Sequence, residues 1–449
     1  MAKDMTQGNL AGALVRFSLP LIFSGLLQQL YNWADAFIVG NVEGELALTA
    51  IGATGMIINL FVFVITGFTQ GLSILAAQQY GGGETADLSK ILSAFAVTLG
   101  GALTVLGCLG GLLSGQVLEL LNTPADIFSI ARGYLRIILP GMPLLAVYNV
   151  YAAVLRGIGD SRAPFLAVIL SSGANVLLDI LLVAALRMGA DGAAAATVIS
   201  QGLMAVFIIC YSVRKYPMLR FSPRENMVDR EILRQGCALG VPPAIQSSVS
   251  SLGSLILQNF MNGFGTRTVA AITTAYRVDS VIMLPIINLG SGISTVTAQN
   301  LGAGNRKRAN RVLAVGTALM MAVAVCLTML VRSFGGDLIA MFGVTQASVR
   351  IGTEFFRCIA WFYVVYGVAM SFRGFLEGTG DVLFSSAAGM LALLVRIIAS
   401  YGLAEYWGNM VIAYAEVFSW GALVLLYLPR LLWKRRMLRK APEEEPANQ

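Results

Sequence analysis

A gapless internal repeat constrains this chain more than any other feature. Gly380-Asp381 lie 221 positions after Gly159-Asp160, and the same shift carries Ala77-Gln78 onto Ala298-Gln299. Gly81 and Gly83 fall on Gly302 and Gly304, Asn41 on Asn262, Gly71 on Gly292 and Arg136 on Arg357. One offset holding from Asn41 to Asp160 marks an internal duplication, so the fold is expected to have two matched halves. The copies part where polarity matters most. Asp35, Asn175 and Asp179, all in apolar segments, fall on Ile256, Arg396 and Ser400. Two like halves suit a device with two moving parts, and acids kept in one half suit a cation site confined to it.

Apolar residues make up 57% of the chain and charged residues 12%, against about 25% charged in soluble domains. Mean hydropathy is +0.74. Long apolar stretches recur from end to end, which predicts an all-α polytopic membrane protein with the lipid bilayer as its main partner. The net charge of +7 does not point to nucleic acid, because the cations sit in short connections between spans. With no histidine in the chain, a histidine proton relay or an imidazole metal site is excluded. Cys108, Cys210, Cys237, Cys326 and Cys358 show no pairing or ligand spacing and read as inert thiols. No cofactor is expected. The opening run Met1–Leu10 lacks a signal peptide's charged start and cleavage site, so the first apolar run is expected to stay as a helix.

Apolar periodicity predicts twelve helices, near 13–39, 48–79, 90–116, 134–157, 163–187, 191–214, 233–261, 270–300, 308–332, 354–377, 383–405 and 410–433. Six per repeat is an even number, so both halves enter the membrane in the same direction and form a parallel repeat about the membrane normal. Odd-to-even connections carry mainly Glu43, Glu45, Arg187, Asp191, Arg267 and Glu405. Even-to-odd connections are basic: Lys90, Arg156 and Arg162, then Arg306-Lys307-Arg308 and Arg311. The central link, with Arg214, Lys215, Arg220, Arg224, Arg230 and Arg234, is the richest, and Lys434-Arg435-Arg436, Arg439 and Lys440 follow the last span. The positive-inside rule then places both termini and the link in the cytoplasm, with the spans in the plasma (bacterial inner) membrane. The expected domains are an amino lobe at 1–213, a basic linker with Pro217 and Pro223 at 214–234, a carboxyl lobe at 235–433 and a cytoplasmic tail at 434–449. Pro442–Gln449, charged and poor in apolar residues, are expected to be disordered.

Asp35 sits deep in the first helix, with Asn32, Tyr31 and Gln28 three, four and seven positions earlier, on the same face. Asn175 and Asp179, four apart in the fifth helix, also share a face. A charged side chain at the centre of a bilayer costs about 2.5–3.5 kcal/mol on insertion scales. Three oxygen-bearing side chains on two helices suit a hard monovalent cation, or a carboxyl that binds and releases a proton. A simpler account satisfies the carboxylates with neighbouring amides or a salt bridge, but no Lys or Arg stands at helical spacing to pair them. The second half holds Arg277 and Asp279 in the eighth helix, Arg396 in the eleventh and Glu416 in the twelfth. Two readings stay open there: internal pairing of Arg396 with Glu416 or Asp279, or a place for Asp279 and Arg396 on a substrate cavity. Pro20, Pro140, Pro143, Pro242-Pro243 and Pro285 interrupt helices and predict kinks. A bend at Pro20 would couple helix shape to Asp35, unless these kinks serve packing alone.

At this point the chain resembles the multidrug and toxic compound extrusion (MATE) family over nearly its whole length. Phe17-Ser18-Leu19-Pro20 followed by Asp35 is similar to that family's first helix. Gly71 to Gly83 and its twin Gly292 to Gly304 resemble its paired loop entries, and Leu155 to Asp160, Leu376 to Asp381 and Asn175 to Asp179 are similar as well. The resemblance implies two six-helix lobes around a cavity, switching between inward- and outward-open forms. It further implies export of an amphipathic, often cationic small molecule against Na⁺ or H⁺ returning inward. By that resemblance Asp35, Asn175, Asp179 and Thr197 are the cation ligands. Gln28, Tyr31 and Asn149 match positions near the cavity, and Asn32 and Gln201 are further candidates. Where other members carry a glutamate in the seventh helix, this chain offers Gln246. A monomer is expected.

The leading expectation is therefore secondary antiport. Flipping of a lipid-linked oligosaccharide, performed by related folds, is the alternative, but it favours a cation-rich cavity to hold a pyrophosphate, and the first lobe is acidic. A membrane-embedded enzyme finds no nucleophile, metal cluster or paired acid-base set.

Overall fold

The computed structural model describes residues 5–220 and 229–440; Pro223, Arg224 and the tail 441–449 lie outside them. All regular elements among the described residues are helices: α1 Leu10–Val42, α2 Glu45–Gly81, α3 Thr85–Leu112, α4 Ser114–Leu120, α5 Ala125–Gly157, α6 Arg162–Asp179, α7 Gly189–Lys215 and α8 Arg230–Asn262. The second half continues with α9 Thr266–Ile282, α10 Leu284–Gly302, α11 Arg306–Ala340, α12 Gln346–Ile359, α13 Tyr363–Gly378, α14 Val382–Gly402, α15 Ala404–Trp407 and α16 Val411–Lys440. Among the described residues ten helices are long and apolar enough to cross a membrane, and the bent pair α9–α10 makes an eleventh. α8 has the length of a span, 33 residues or about 50 Å at 1.5 Å per residue. Gln246 and its run of serines lower the hydropathy of α8. With it, the described residues make twelve crossings, six per repeat.

The repeat is written into the helix ends. α2 runs from Glu45 to Gly81 and α9–α10 from Thr266 to Gly302; α5 runs from Ala125 to Gly157 and α12–α13 from Gln346 to Gly378. Each pair is displaced by the same 221 positions seen in the sequence. Turn glycines at positive φ recur with them: Gly44 and Gly265 (both 84°), Gly83 and Gly304 (81° and 70°), Gly159 and Gly380 (84° and 83°). These backbones tolerate no Cβ without strain, which is why glycine marks the repeat so clearly.

Several boundaries differ from the apolar pattern. The third span starts at Thr85 rather than 90 and gives way to the short α4. The fourth and tenth start at Ala125 and Gln346, about two turns before their apolar cores. Both leading turns are polar, with Asp126, Arg132 and Arg136 in one and Arg350, Glu354 and Arg357 in the other, so the helices outlast the hydropathy that locates them. The eighth helix is broken, not continuous: α9 and α10 meet at 40° around Met283. Pro285 in the first turn of α10 supplies no N–H to α9, and that missing hydrogen bond permits the break.

The chain forms two compact units. One is Phe23–Ala244; the other joins the described residues up to Ile22 to those from Ile245 onward. α1 and α8 therefore each contribute to both, changing membership just after Pro20 and Pro243. The first unit packs around Phe95, Tyr151 and Val154 and around Leu135, Ile138 and Met142. The second packs Leu14 and Phe17 of α1 with Phe355, Phe356, Tyr363 and Phe375.

Each Gly-Asp corner is anchored by a cation from the last helix of its own repeat. Arg430 grips Asp381 at 2.6 and 3.1 Å. Asp160 accepts from Tyr216 Oη at 2.6 Å and Lys215 Nζ at 2.9 Å, and from the backbone N–H groups of Arg162 and Ala163. Burial alone would raise the Asp160 carboxyl, but Tyr216 and Lys215 outweigh it and hold the group below the usual carboxylate range. A depressed value stabilises the fold above the unfolded pKa and ceases to as pH falls through the folded one. Asp160→Asn is expected to cost about 1.5–3 kcal/mol at neutral pH. Thermal unfolding in detergent should show that deficit shrinking as the buffer is acidified.

Candidate functional site

α1 presents Gln28, Tyr31, Asn32 and Asp35 to a cavity of about 350 Å³ within the first unit. α5 adds Tyr134, Ile138, Met142, Leu145 and Asn149, and α7 adds Thr197, Ser200 and Gln201. The α5 set recurs every three to four residues, one helical face. α6 contributes Ser172 to the lining, and Asn175 and Asp179 follow on that same face. Asn175 and Asp179 are 1% and 0% exposed.

The Asp35 and Asp179 carboxyl groups lie within hydrogen-bonding reach of each other. Such an approach holds only with a proton or a cation between them, because two bare carboxylates repel. No N–H or O–H donor among the described residues reaches Asp35 Oδ1 or either oxygen of Asp179, and both polar atoms of Asn175 are likewise unpartnered. Buried polar atoms in folded proteins are almost always satisfied, which sets this cluster apart from the rest of the unit's interior. Thr197 donates to Ala193 O at 3.0 Å, which leaves its oxygen lone pairs as acceptors. Asn149 donates to Leu145 O at 2.8 Å and keeps its own carbonyl oxygen free to accept. Among the described residues no three His, Cys, Asp or Glu side chains gather. No Lys or Arg lines the cavity.

Directly after Asp179 the α-helix yields to a π-helical stretch, Ile180–Ala185, a geometry that concentrates at functional sites. In the second repeat the equivalent helix carries Ser400 and ends at Gly402. The backbone irregularity thus follows the acid. Tyr134, which lies within electrostatic reach of both carboxyls, is a site residue that the sequence does not single out; the apolar periodicity of α5 is its only signal. Pro20 lies inside α1, which runs on as one helix.

Gln246, Asp279 and Arg396 belong to the second unit and do not line this cavity. Arg396 is paired with Glu416 at 3.0 Å, so of its two candidate partners Glu416 is the one found. Asp279 accepts from Tyr363 Oη at 2.6 Å. Gln246 accepts from Arg373, which is itself paired with Glu377 at 2.7 Å. The i,i+4 spacing of that pair is its signal in the sequence, and sequence reasoning passes over it.

The MatE family model matches residues 20–181 and 242–401, one match in each repeat. Probable multidrug resistance protein YpnP of Bacillus subtilis is 30% identical over 406 residues, covering 90% of this chain and 89% of the relative. Multidrug export protein MepA of Staphylococcus aureus is 23% identical over 408 residues, covering 89% and 90%. A solved outward-facing conformation of a multidrug resistance MATE family transporter of the MOP superfamily shares the fold, with a TM-score of 0.89 at 22% identity over 97% of this chain and 98% of that one. With both repeats matched and the fold shared almost end to end, the chain is a multi-pass membrane protein that belongs to the MatE family of multidrug efflux transporters.

Proposed function

We propose that this transporter exports amphipathic, often cationic compounds by alternating access, and that a proton shared between Asp35 and Asp179 drives export by returning inward. The observation that carries the reading is the approach of these two carboxyls, with no donor among the described residues to Asp35 Oδ1 or to either oxygen of Asp179. A proton between them removes the repulsion; its loss leaves a negative pair facing a cavity that an organic cation can neutralise. Proton and cationic substrate are then alternatives at one site. Coupling follows if each favours a different lobe arrangement, since only differential affinity shifts such an equilibrium. Asn175 and Thr197 offer further oxygens beside the pair, and Tyr134 lines the same cavity as Asp35. The same oxygens are hard enough for Na⁺, which makes the driving ion the first thing to measure.

The cations that follow the last span and those of the central link support cytoplasmic termini in a plasma membrane. A monomer contains the whole carboxyl site. A cavity lined by the Asp35 carboxyl and by no Lys or Arg is the opposite of what a pyrophosphate headgroup requires.

Reconstituted into proteoliposomes, the protein should export a cationic dye under an imposed pH gradient alone, and a Na⁺ gradient alone should drive none. Export driven by Na⁺ without a pH gradient would reverse the assignment of the ion.

A further inference from the structure

Arg277 of α9 is a cation inside a span that has no partner. It lies eleven positions after Thr266, the first residue of that helix, which is about 16 Å along the axis and half the thickness of a hydrocarbon core of about 30 Å. Its side chain is exposed and makes no hydrogen bond or ion pair among the described residues. Arg373 and Arg396, also within spans of this unit, are held by Glu377 and Glu416. Asp279, two positions on, is taken by Tyr363 at 2.6 Å. A guanidinium at such a depth is costly, and a chain that keeps one there has a use and a counter-charge for it.

The guanidinium lines a cavity of about 600 Å³ whose described walls all belong to the second unit. Thr266, Val269, Thr273, Thr274 and Arg277 recur there at three- and four-residue steps, one face of α9. No Asp, Glu or Lys joins the lining among the described residues. Thr274 is only 7% exposed, yet its hydroxyl has no hydrogen-bond partner among the described residues. Asn262, also in the wall, accepts from Gln258 at 3.1 Å and keeps its own N–H groups as donors. Phe342 and Val344 make the opposite side apolar. The repeated fold does not demand this polarity. Thr273, Thr274 and Arg277 stand 221 positions after Gly52, Ala53 and Met56, and Thr266 stands where the first half has Glu45. The second half thus has a cation and two hydroxyls in place of apolar residues, and a neutral residue in place of the acid.

We propose that this cavity binds an anionic amphiphile, its carboxylate or phosphate held by Arg277 with Thr273 and Thr274, and its apolar body laid along Val269, Phe342 and Val344. All five N–H donors of the guanidinium are uncommitted, so two neighbouring ones can meet two oxygens of one anion in parallel. The anion also supplies the counter-charge that the span lacks. An arginine that only reached for the membrane surface would need no hydroxyls ranged beside it on the same face. The volume falls within the range of small-molecule pockets, about 300–1,000 Å³, enough for a head and part of a chain. The inference is independent of the export reading, which concerns the acids of the first unit.

The test is equilibrium binding to the full-length protein in nanodiscs of zwitterionic phosphatidylcholine, with no gradient present, so a failure of the antiport mechanism cannot mimic a failure here. The probes are a fluorophore-labelled dodecanoic acid, in buffer alkaline enough to ionise it, and the primary amide of the same compound. Fluorescence anisotropy is read against empty discs. The acid should bind about tenfold more tightly than the amide, the scale of a charge-assisted contact. Arg277→Gln should erase that preference and change the amide by less than about twofold. Arg277→Lys, which keeps the charge but not the fork, should restore only part of the preference. Thr273→Val with Thr274→Val leaves the guanidinium in place and should weaken the acid by about threefold or more, the scale of lost neutral hydrogen bonds. Phosphatidylglycerol introduced into the discs identifies the source of the anion: displacement of the acid assigns the site to a lipid phosphate, and undisturbed binding assigns it to a carboxylate amphiphile from solution. Equal binding of acid and amide by the unaltered protein, a preference that survives Arg277→Gln, or one untouched by the paired threonine variant would overturn the proposal.

Discussion

Asp35→Asn should leave the protein folded and reduce gradient-driven efflux about 100-fold, the scale of a lost coupling free energy of about 3 kcal/mol. The amide keeps the shape of the carboxyl and the polarity of the cavity. What it loses is the ability to carry a charge that a proton or a cationic drug can neutralise in turn. Asp179→Asn should do the same. The double variant should be scarcely worse than either alone, because the two oxygens act as one site and their effects do not add. Stability discriminates this from a structural role. No donor among the described residues reaches Asp35 Oδ1 or either oxygen of Asp179, so replacing one carboxyl by an amide breaks no protein hydrogen bond to those oxygens and lowers the cost of burying charge. The melting temperature in detergent should therefore hold or rise. Efflux from everted vesicles at the unaltered rate would sink the coupling mechanism.

A second large effect concerns matched glycines with unmatched surroundings. A Cβ on Gly71 of α2 would overlap the Leu239 carbonyl and lie 2.5 Å from Gly240 N of α8, backbone atoms that cannot step aside. A Cβ on its twin Gly292 of α10 would meet Ser18 Oγ at 2.5 Å, the end of a side chain that can rotate away. Gly71→Ala is accordingly expected to cost about 3 kcal/mol, the upper range for overpacking, and to abolish efflux with it. Gly292→Ala should cost less than about 1 kcal/mol. Melting temperatures of the two variants, measured side by side, check the contrast; equal losses would show that the two close approaches are energetically alike.

Much of this fold is legible in the sequence because glycine and polarity carry strong constraints. The positive-φ glycines at Gly44, Gly83 and Gly159 and their partners 221 positions later mark the duplication in the residue order alone. Asp35, Asn175 and Asp179 stand out because a bilayer tolerates so few such side chains. What stays hidden depends on partners rather than on local chemistry. Nothing in the apolar stretch Ile180–Ala185 signals a π-helical turn. The two ends of α1 form one unbroken helix, yet they join different units. Tyr134 reads as one more core aromatic on α5 until the carboxyls of α1 and α6 are brought beside it. The sequence offers Glu416 and Asp279 alike as partners for Arg396, and only the fold selects Glu416, at 3.0 Å.

On the proposed mechanism, drug and proton are alternatives at the Asp35–Asp179 pair. Proton release on adding a cationic drug to the purified protein, read with a pH indicator in weakly buffered detergent, tests it most directly. The unaltered protein should release about one proton per drug bound, and the Asp35→Asn, Asp179→Asn double variant should release none. Drug binding without proton release by the unaltered protein, or undiminished release by the double variant, would contradict it.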